Sequence, residues 1–122
     1  SYLFLGNKTD MLKQVGNAVP VLLAYCIGRS ILKKTGCSTS VDLFSGAGGM
    51  TYGFKRAGIH AVVANDIVEP ACVTLKVNNP EIPVICGDIT DQLTKQAIIQ
   101  KGLEGKADMG LRAKAFLWLD GE

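Results

Sequence analysis

A chain of 122 residues is long enough for one domain with a real core and too short for two comfortable ones. Hydrophobic residues make up 48% and charged residues 20%, ordinary for a globular fold, while a mean hydropathy of +0.22 leaves some apolar surface for a partner. The net charge is only +2, and the thirteen basic residues are scattered from Lys8 to Lys114, so no basic stripe marks a dedicated nucleic-acid module.

Residues 1–19, SYLFLGNKTDMLKQVGNAV, read as an irregular lead-in. Pro20 suits a first helical position, because its missing N–H has no intrahelical partner there. Leu23, Ala24, Ile27 and Ile31 follow at helical spacing, Lys33 and Lys34 complement the negative end of the dipole, and Gly36 is a stop. This pattern predicts a helix over 20–34, and TGCST over 35–39 reads as a linker. A first strand is expected over 40–44, a helix over 48–57 ended by Gly58, and a second strand over 60–64. A helix over 70–77, a short strand over 84–86 and a helix over 94–101 closed by Gly102 complete the pattern. Strand and helix alternate three times, the signature of an α/β fold with a parallel sheet and crossover helices. The tail over 106–122 is ambiguous, with 115–119 readable as an extra strand or a short helix.

In an open parallel sheet, ligands sit beyond the carboxyl ends of the strands. The turn Ser45-Gly46-Ala47-Gly48-Gly49 falls there, and its glycines let the backbone approach a ligand closely. Thr51 stands where a dinucleotide fingerprint wants a third glycine, which weakens a pyrophosphate reading and a nicotinamide-nucleotide module with it. Asp66, at the end of the second strand, is placed to accept from both hydroxyls of a ribose. Asp88, at the end of the third, is placed to meet the exocyclic amine of an adenine. Three strand ends then bracket one nucleoside with no phosphate required. The plainer alternative is a tight turn with two helix-capping aspartates, and the ordered succession of all three elements weighs against it.

These segments resemble the motifs of the DNA cytosine-5 methyltransferases. DLFSGAGG (42–49) is similar to their first motif, whose glycine turn binds S-adenosylmethionine; AND followed by IVEPAC (64–72) is similar to the second, and GDIT (87–90) to the third. KQVGNAVPVLLAYCIGRSIL (13–32) resembles their last motif. The resemblance implies a Rossmann-like cofactor half-domain that takes S-adenosylmethionine and yields S-adenosylhomocysteine. By position it implies that Phe44, Ser45, Gly46, Ala47 and Gly49 wrap the methionine part and stack near the adenine. Asp66 would take the ribose hydroxyls, Ile67 would pack on the adenine, and Asp88 with Ile89 would read its edge. Asn17, Ala18 and Val19 would close the pocket from the other side, and Asp42 would serve as a structural partner within the turn. On this reading Asp66→Ala abolishes binding and leaves the fold intact.

Two departures qualify the resemblance. The Gly-Asn-Ala-Val-Pro motif ends the chain in the family but precedes DLFSGAGG here, so the order is expected to be circularly permuted, with TGCST as the join. After the third motif the family continues into a strand and a Pro-Pro-Cys-Gln loop, whose thiolate attacks carbon 6 of a flipped-out cytosine. Here KAD (106–108) is expected to begin that strand, but no Pro-Cys dipeptide occurs, and the Glu-Asn-Val segment, the Arg-x-Arg segment and a target-recognition domain are all lacking. No catalytic residue is therefore assigned. The expectation is a module inactive alone or completed in trans by a second methyltransferase polypeptide, with DNA bound only in the completed enzyme. The alternative is a non-enzymatic, self-associating module derived from such an enzyme. Ser1 in place of a methionine raises the expectation that the natural chain begins upstream.

Other candidates carry less. Cys26, Cys37, Cys72 and Cys86 form no CxxC and have no histidine at ligand spacing, so no metal site is expected. Their use fits a reducing, cytoplasmic protein, and Cys86 reads as a core residue, with Cys37 exposed in the linker. His60 reads as a surface histidine, and Lys55 and Arg56 as a solvated helix face. The longest apolar run, 19–27, is far short of the roughly 20 residues that span a bilayer, so no membrane partner is expected. Phe116 to Leu119 either fills a core edge or pairs with another chain.

Overall fold

The computed structural model describes residues 1–107. The expectations for 115–119 and for Phe116 to Leu119 therefore lie outside the described residues.

The lead-in holds a helix that the sequence reading missed. Residues 1–6 run along the later helix α4, but α1 forms over Lys8–Asn17. Its start is fixed by a capping box: the Asn7 side chain accepts from the Asp10 N–H, and the Asp10 carboxylate accepts from the Asn7 N–H. Ala18 is extended at φ −69° and ψ 137°, and Pro20 keeps that extended form before α2 over Val21–Thr35. By length and composition the stretch Lys8–Thr35 could cross a membrane, but the break at 18–20 divides it into helices of 10 and 15 residues. Both are short of roughly 20.

The remaining elements follow in strict alternation. They are β1 over Thr39–Leu43, α3 over Gly49–Ala57, β2 over His60–Asp66, α4 over Glu69–Asn78, β3 over Val84–Cys86 and α5 over Gln92–Glu104. The strands make one parallel sheet in the order β1-β2-β3, so the structure is the Rossmann-like α/β arrangement that the alternation predicts. The linker expected over 35–39 shrinks, because Thr35 ends α2, Gly36 caps it in the left-handed region at φ 69° and Thr39 already pairs with His60. The helix expected to stop at Gly102 runs on to Glu104. Gly102 is buried inside α5, and Gly105 is the cap. Lys106 does not begin a strand: its φ is 52°, and the Lys106 and Ala107 N–H groups close the end of α5 on Leu103 and Gly102.

The core divides between the two faces of the sheet. Val41, Val63, Ile89, Ile98 and Ala107 pack together on the face where α5 lies against β2 and β3. On the other face Ala64, Leu75 and Ile82 join α4 to β2, and Ala24, Phe54 and Ile59 join α2 to α3. Small residues let α2 and α3 approach: a Cβ on Gly53 would sit 2.4 Å from that of Ala24 and 2.6 Å from the Val21 carbonyl. The segment before β1 is thereby fastened to the helix that follows the glycine turn.

Candidate functional site

The turn after β1 is built by hydrogen bonds from the end of β2. Phe44 leaves the strand at φ 56°, a left-handed conformation unusual for a side chain of its size, and is 72% exposed. The Ser45 N–H and hydroxyl both donate to the Asn65 carbonyl, at 2.9 and 3.2 Å. The Gly46 N–H donates to Asp66 Oδ2 at 2.8 Å, and the Val68 N–H to Asp66 Oδ1 at 2.9 Å. One carboxylate thus holds the glycine turn and the entry to α4 together. Asn65, buried, donates from Nδ2 to the Ile85 and Gly87 carbonyls and ties in the end of β3.

The lead-in completes the enclosure. The Tyr2 hydroxyl donates to the Ala47 carbonyl, the Leu5 N–H donates to Thr74 Oγ1, and the Leu3 backbone exchanges bonds with the Asn78 side chain. A Cβ on Gly49 would stand 2.5 Å from the Val19 carbonyl, so only glycine admits the 17–19 segment there.

Between α1 and the turn lies a cavity of about 350 Å³. Phe44, Ser45, Gly46, Ala47, Gly49 and Asp66 line it, with Asn17, Ala18 and Val19 across from them. Ile67, Asp88 and Ile89 do not. Ile67 is exposed beyond the end of β2. Asp88 Oδ1 accepts from the Thr90 N–H and hydroxyl at 2.8 and 2.7 Å, which holds its carboxyl below the usual range. The Ile89 side chain belongs to the core with Val41 and Ile98.

Several wall residues were not expected from sequence. Asp10, Lys13 and Gln14 line the cavity from α1, as do Asp42, Met50, Val68, Pro70 and Ala71 from elsewhere. Asp10, Gln14 and Asn17 stand at helical spacing on one face of α1, a signal hidden while the segment was read as irregular. Gln14 is 7% exposed; its Nε2 donates to the Leu5 carbonyl at 2.7 Å, and its Oε1 has no protein partner among the described residues. Thr51, the residue that spoils a dinucleotide fingerprint, donates its hydroxyl to Asp42 Oδ2. Burial pushes the Asp42 carboxyl up to about 6, against the lowering effect of Thr51 and with a further rise from Asp66.

The thiols divide otherwise than expected. Cys86 is exposed at the end of β3, the edge strand, whereas Cys72 is buried within α4. Cys26 is exposed on α2. Among the described residues no group of three or more His, Cys, Asp or Glu side chains is arranged to hold a metal ion.

The family model of the C-5 cytosine-specific DNA methylases matches residues 38–105. The chain is 48% identical over 60 residues to the type II methyltransferase M.AquIA of Picosynechococcus sp., covering 49% of this chain and 24% of that protein. It is 46% identical over 52 residues to M.Eco47II of Escherichia coli, covering 43% of this chain and 12% of that one. With M1.HphI of Haemophilus parahaemolyticus it shares 40% identity over 73 residues, covering 57% of this chain and 20% of the relative. The chain thus spans a quarter or less of the length of these relatives.

Proposed function

The chain belongs to the C-5 cytosine-specific DNA methylase family, and from that premise we propose that it is the S-adenosylmethionine-binding module of a cytosine-5 methyltransferase. The observation that carries this reading is the seating of the 17–19 segment against the glycine turn across one cavity. The cavity volume falls within the roughly 300–1,000 Å³ usual for small-molecule sites. Its wall supplies what the cofactor needs: Gly46 has open space where a side chain would stand, and Asp10, Asp42 and Asp66 offer negative charge to a cation.

The residues divide the work. Asp66, already fixed by two backbone N–H groups, offers its remaining lone pairs to ribose hydroxyls. Phe44 presents an exposed ring at the cavity lip for stacking on a base. Asn17, Ala18 and Val19 shut the cavity on the side of the methionine part. The cofactor, when bound, supplies the methyl group. The thiolate that adds to cytosine carbon 6 comes from outside these 122 residues, which hold no Pro-Cys dipeptide.

The motif order is circularly permuted, a reading supported by the packing of α2 on α3 directly ahead of β1. A second polypeptide carrying the Pro-Cys loop and the DNA-recognition part completes the enzyme, which acts on DNA in the cytoplasm. A methyl-transfer assay with tritiated S-adenosylmethionine tests this: DNA labelling is expected only when such a polypeptide is added. Labelling by the purified 122-residue chain alone would contradict it.

A second reading, a self-associating module, is favoured by the free face of α2, where Leu22 is 70% and Leu23 53% exposed. Size-exclusion chromatography with and without S-adenosylhomocysteine separates the two. A dimer indifferent to the nucleoside supports association alone.

A further inference from the structure

Two thiols that methyl transfer does not use meet behind Asp66. Cys72 lies in α4, 1% exposed, and its thiol donates to the Asp66 carbonyl at 3.4 Å. The same carbonyl accepts the Gly87 N–H at 3.0 Å, and Gly87 directly follows Cys86. Cys86 closes β3 opposite Asp66 in the sheet register, exposed to solvent. The two thiols thus flank the same Asp66 backbone, one enclosed and one open. Burial, with the adjacent Cys86 thiol, pushes Cys72 up to about 12, so it stays protonated at neutral pH and an oxidant meets Cys86 first.

We propose that Cys72 and Cys86 form a reversible disulfide in response to hydrogen peroxide, pinning α4 to the end of β3 beneath Asp66. The Cys86 thiolate attacks one peroxide oxygen; the O–O bond breaks, hydroxide leaves and is protonated to water, and Cys86 becomes a sulfenic acid. The Cys72 sulfur then attacks the Cys86 sulfur. The S–O bond breaks, and the departing hydroxide takes the Cys72 proton as a second water. Two thiols are oxidised and one peroxide is reduced. In a reducing compartment such a bond is transient, the behaviour of a sensor rather than a staple.

The bond removes the Cys72 contact with the Asp66 carbonyl and draws the first turns of α4 toward β3. Val68, the N-cap of α4, is held by Asp66 Oδ1, so the strain reaches the carboxylate assigned to ribose. This second consequence rests on the cofactor reading above.

The chain is treated with hydrogen peroxide, its remaining thiols are alkylated, and it is digested with trypsin without reduction. Peptides 57–76 and 77–95 are expected as one linked species, absent from Cys86→Ser and released by dithiothreitol. Recovery of Cys86 only as sulfinic or sulfonic acid, or alkylated with no linked species, would overturn the disulfide. The reduced and oxidised chains are then titrated with S-adenosylhomocysteine, the oxidised form binding about fivefold or more weakly. Equal affinities would overturn the coupling to Asp66. Failure of the reduced chain to bind would instead overturn the cofactor reading, with the linked peptide still judging the disulfide.

Discussion

Asp42 and Asp66 stand side by side at the turn and answer to different forces. Asp42 lies in the cavity wall with Thr51 as its one side-chain donor among the described residues, and burial raises its carboxyl to about 6. A raised carboxyl stabilises the fold fully below its unfolded value near 4, and that contribution is lost as pH rises through about 6. The loss is on the order of 2 to 3 kcal/mol. Asp42→Asn keeps an acceptor for Thr51 and removes the charge, so its thermal midpoint should exceed the parent's at pH 7.5 and match it near pH 4. A constant difference across that range would contradict the assignment. Asp66 accepts one backbone N–H on each carboxylate oxygen, from Gly46 and from Val68. The sequence suggested that Asp66→Ala would leave the fold intact. With Gly46 and Val68 both bonded to it, the variant should instead lose about 1–3 kcal/mol in urea denaturation as well as its nucleoside binding. The position of Asp66 at a strand end beside the glycine turn was readable from spacing alone. The clamp on the turn was not, because it depends on where two strands end in space.

Glycines mark where elements meet, and two of them make opposite predictions. Gly16 lies in α1 with nothing within 4 Å of a built Cβ, so Gly16→Ala should add roughly 0.5–1 kcal/mol through helix propensity. Gly53 lies in α3 against Ala24 and the Val21 carbonyl, so Gly53→Ala should remove roughly 1–3 kcal/mol by forcing α2 away. Urea midpoints of the two variants check both signs. The strands and crossover helices were legible because apolar runs and stop signals repeat in a strict order. The first helix was not: Lys8–Asn17 is mostly polar and contains Gly16, and its Asn7/Asp10 capping box is a short signal. That omission hid Asp10, Lys13 and Gln14, a whole wall of the cavity. Ile89 lies outside the cavity lining for another reason. A motif position places a residue near a strand end but does not say which way it faces, and α5 draws this side chain into the core.

At the scale of the molecule, a segment placed first in the chain closes a cavity whose opposite wall follows the first strand. Tyr2, Leu3 and Leu5 hold residues 1–6 against the glycine turn and α4, so the lead-in stabilises the site without belonging to the sheet. Three parallel strands, a built turn and one cavity frame the proposed nucleoside site, and no Pro-Cys dipeptide occurs in the 122 residues. Cofactor binding is therefore the claim on which the rest depends. Isothermal titration of the chain with S-adenosylhomocysteine, and with NAD as a control, tests it most directly. The account predicts micromolar binding of the first, no binding of NAD, and loss of the signal in Asp66→Ala. A folded chain that binds neither nucleoside, or binds NAD equally well, would contradict it.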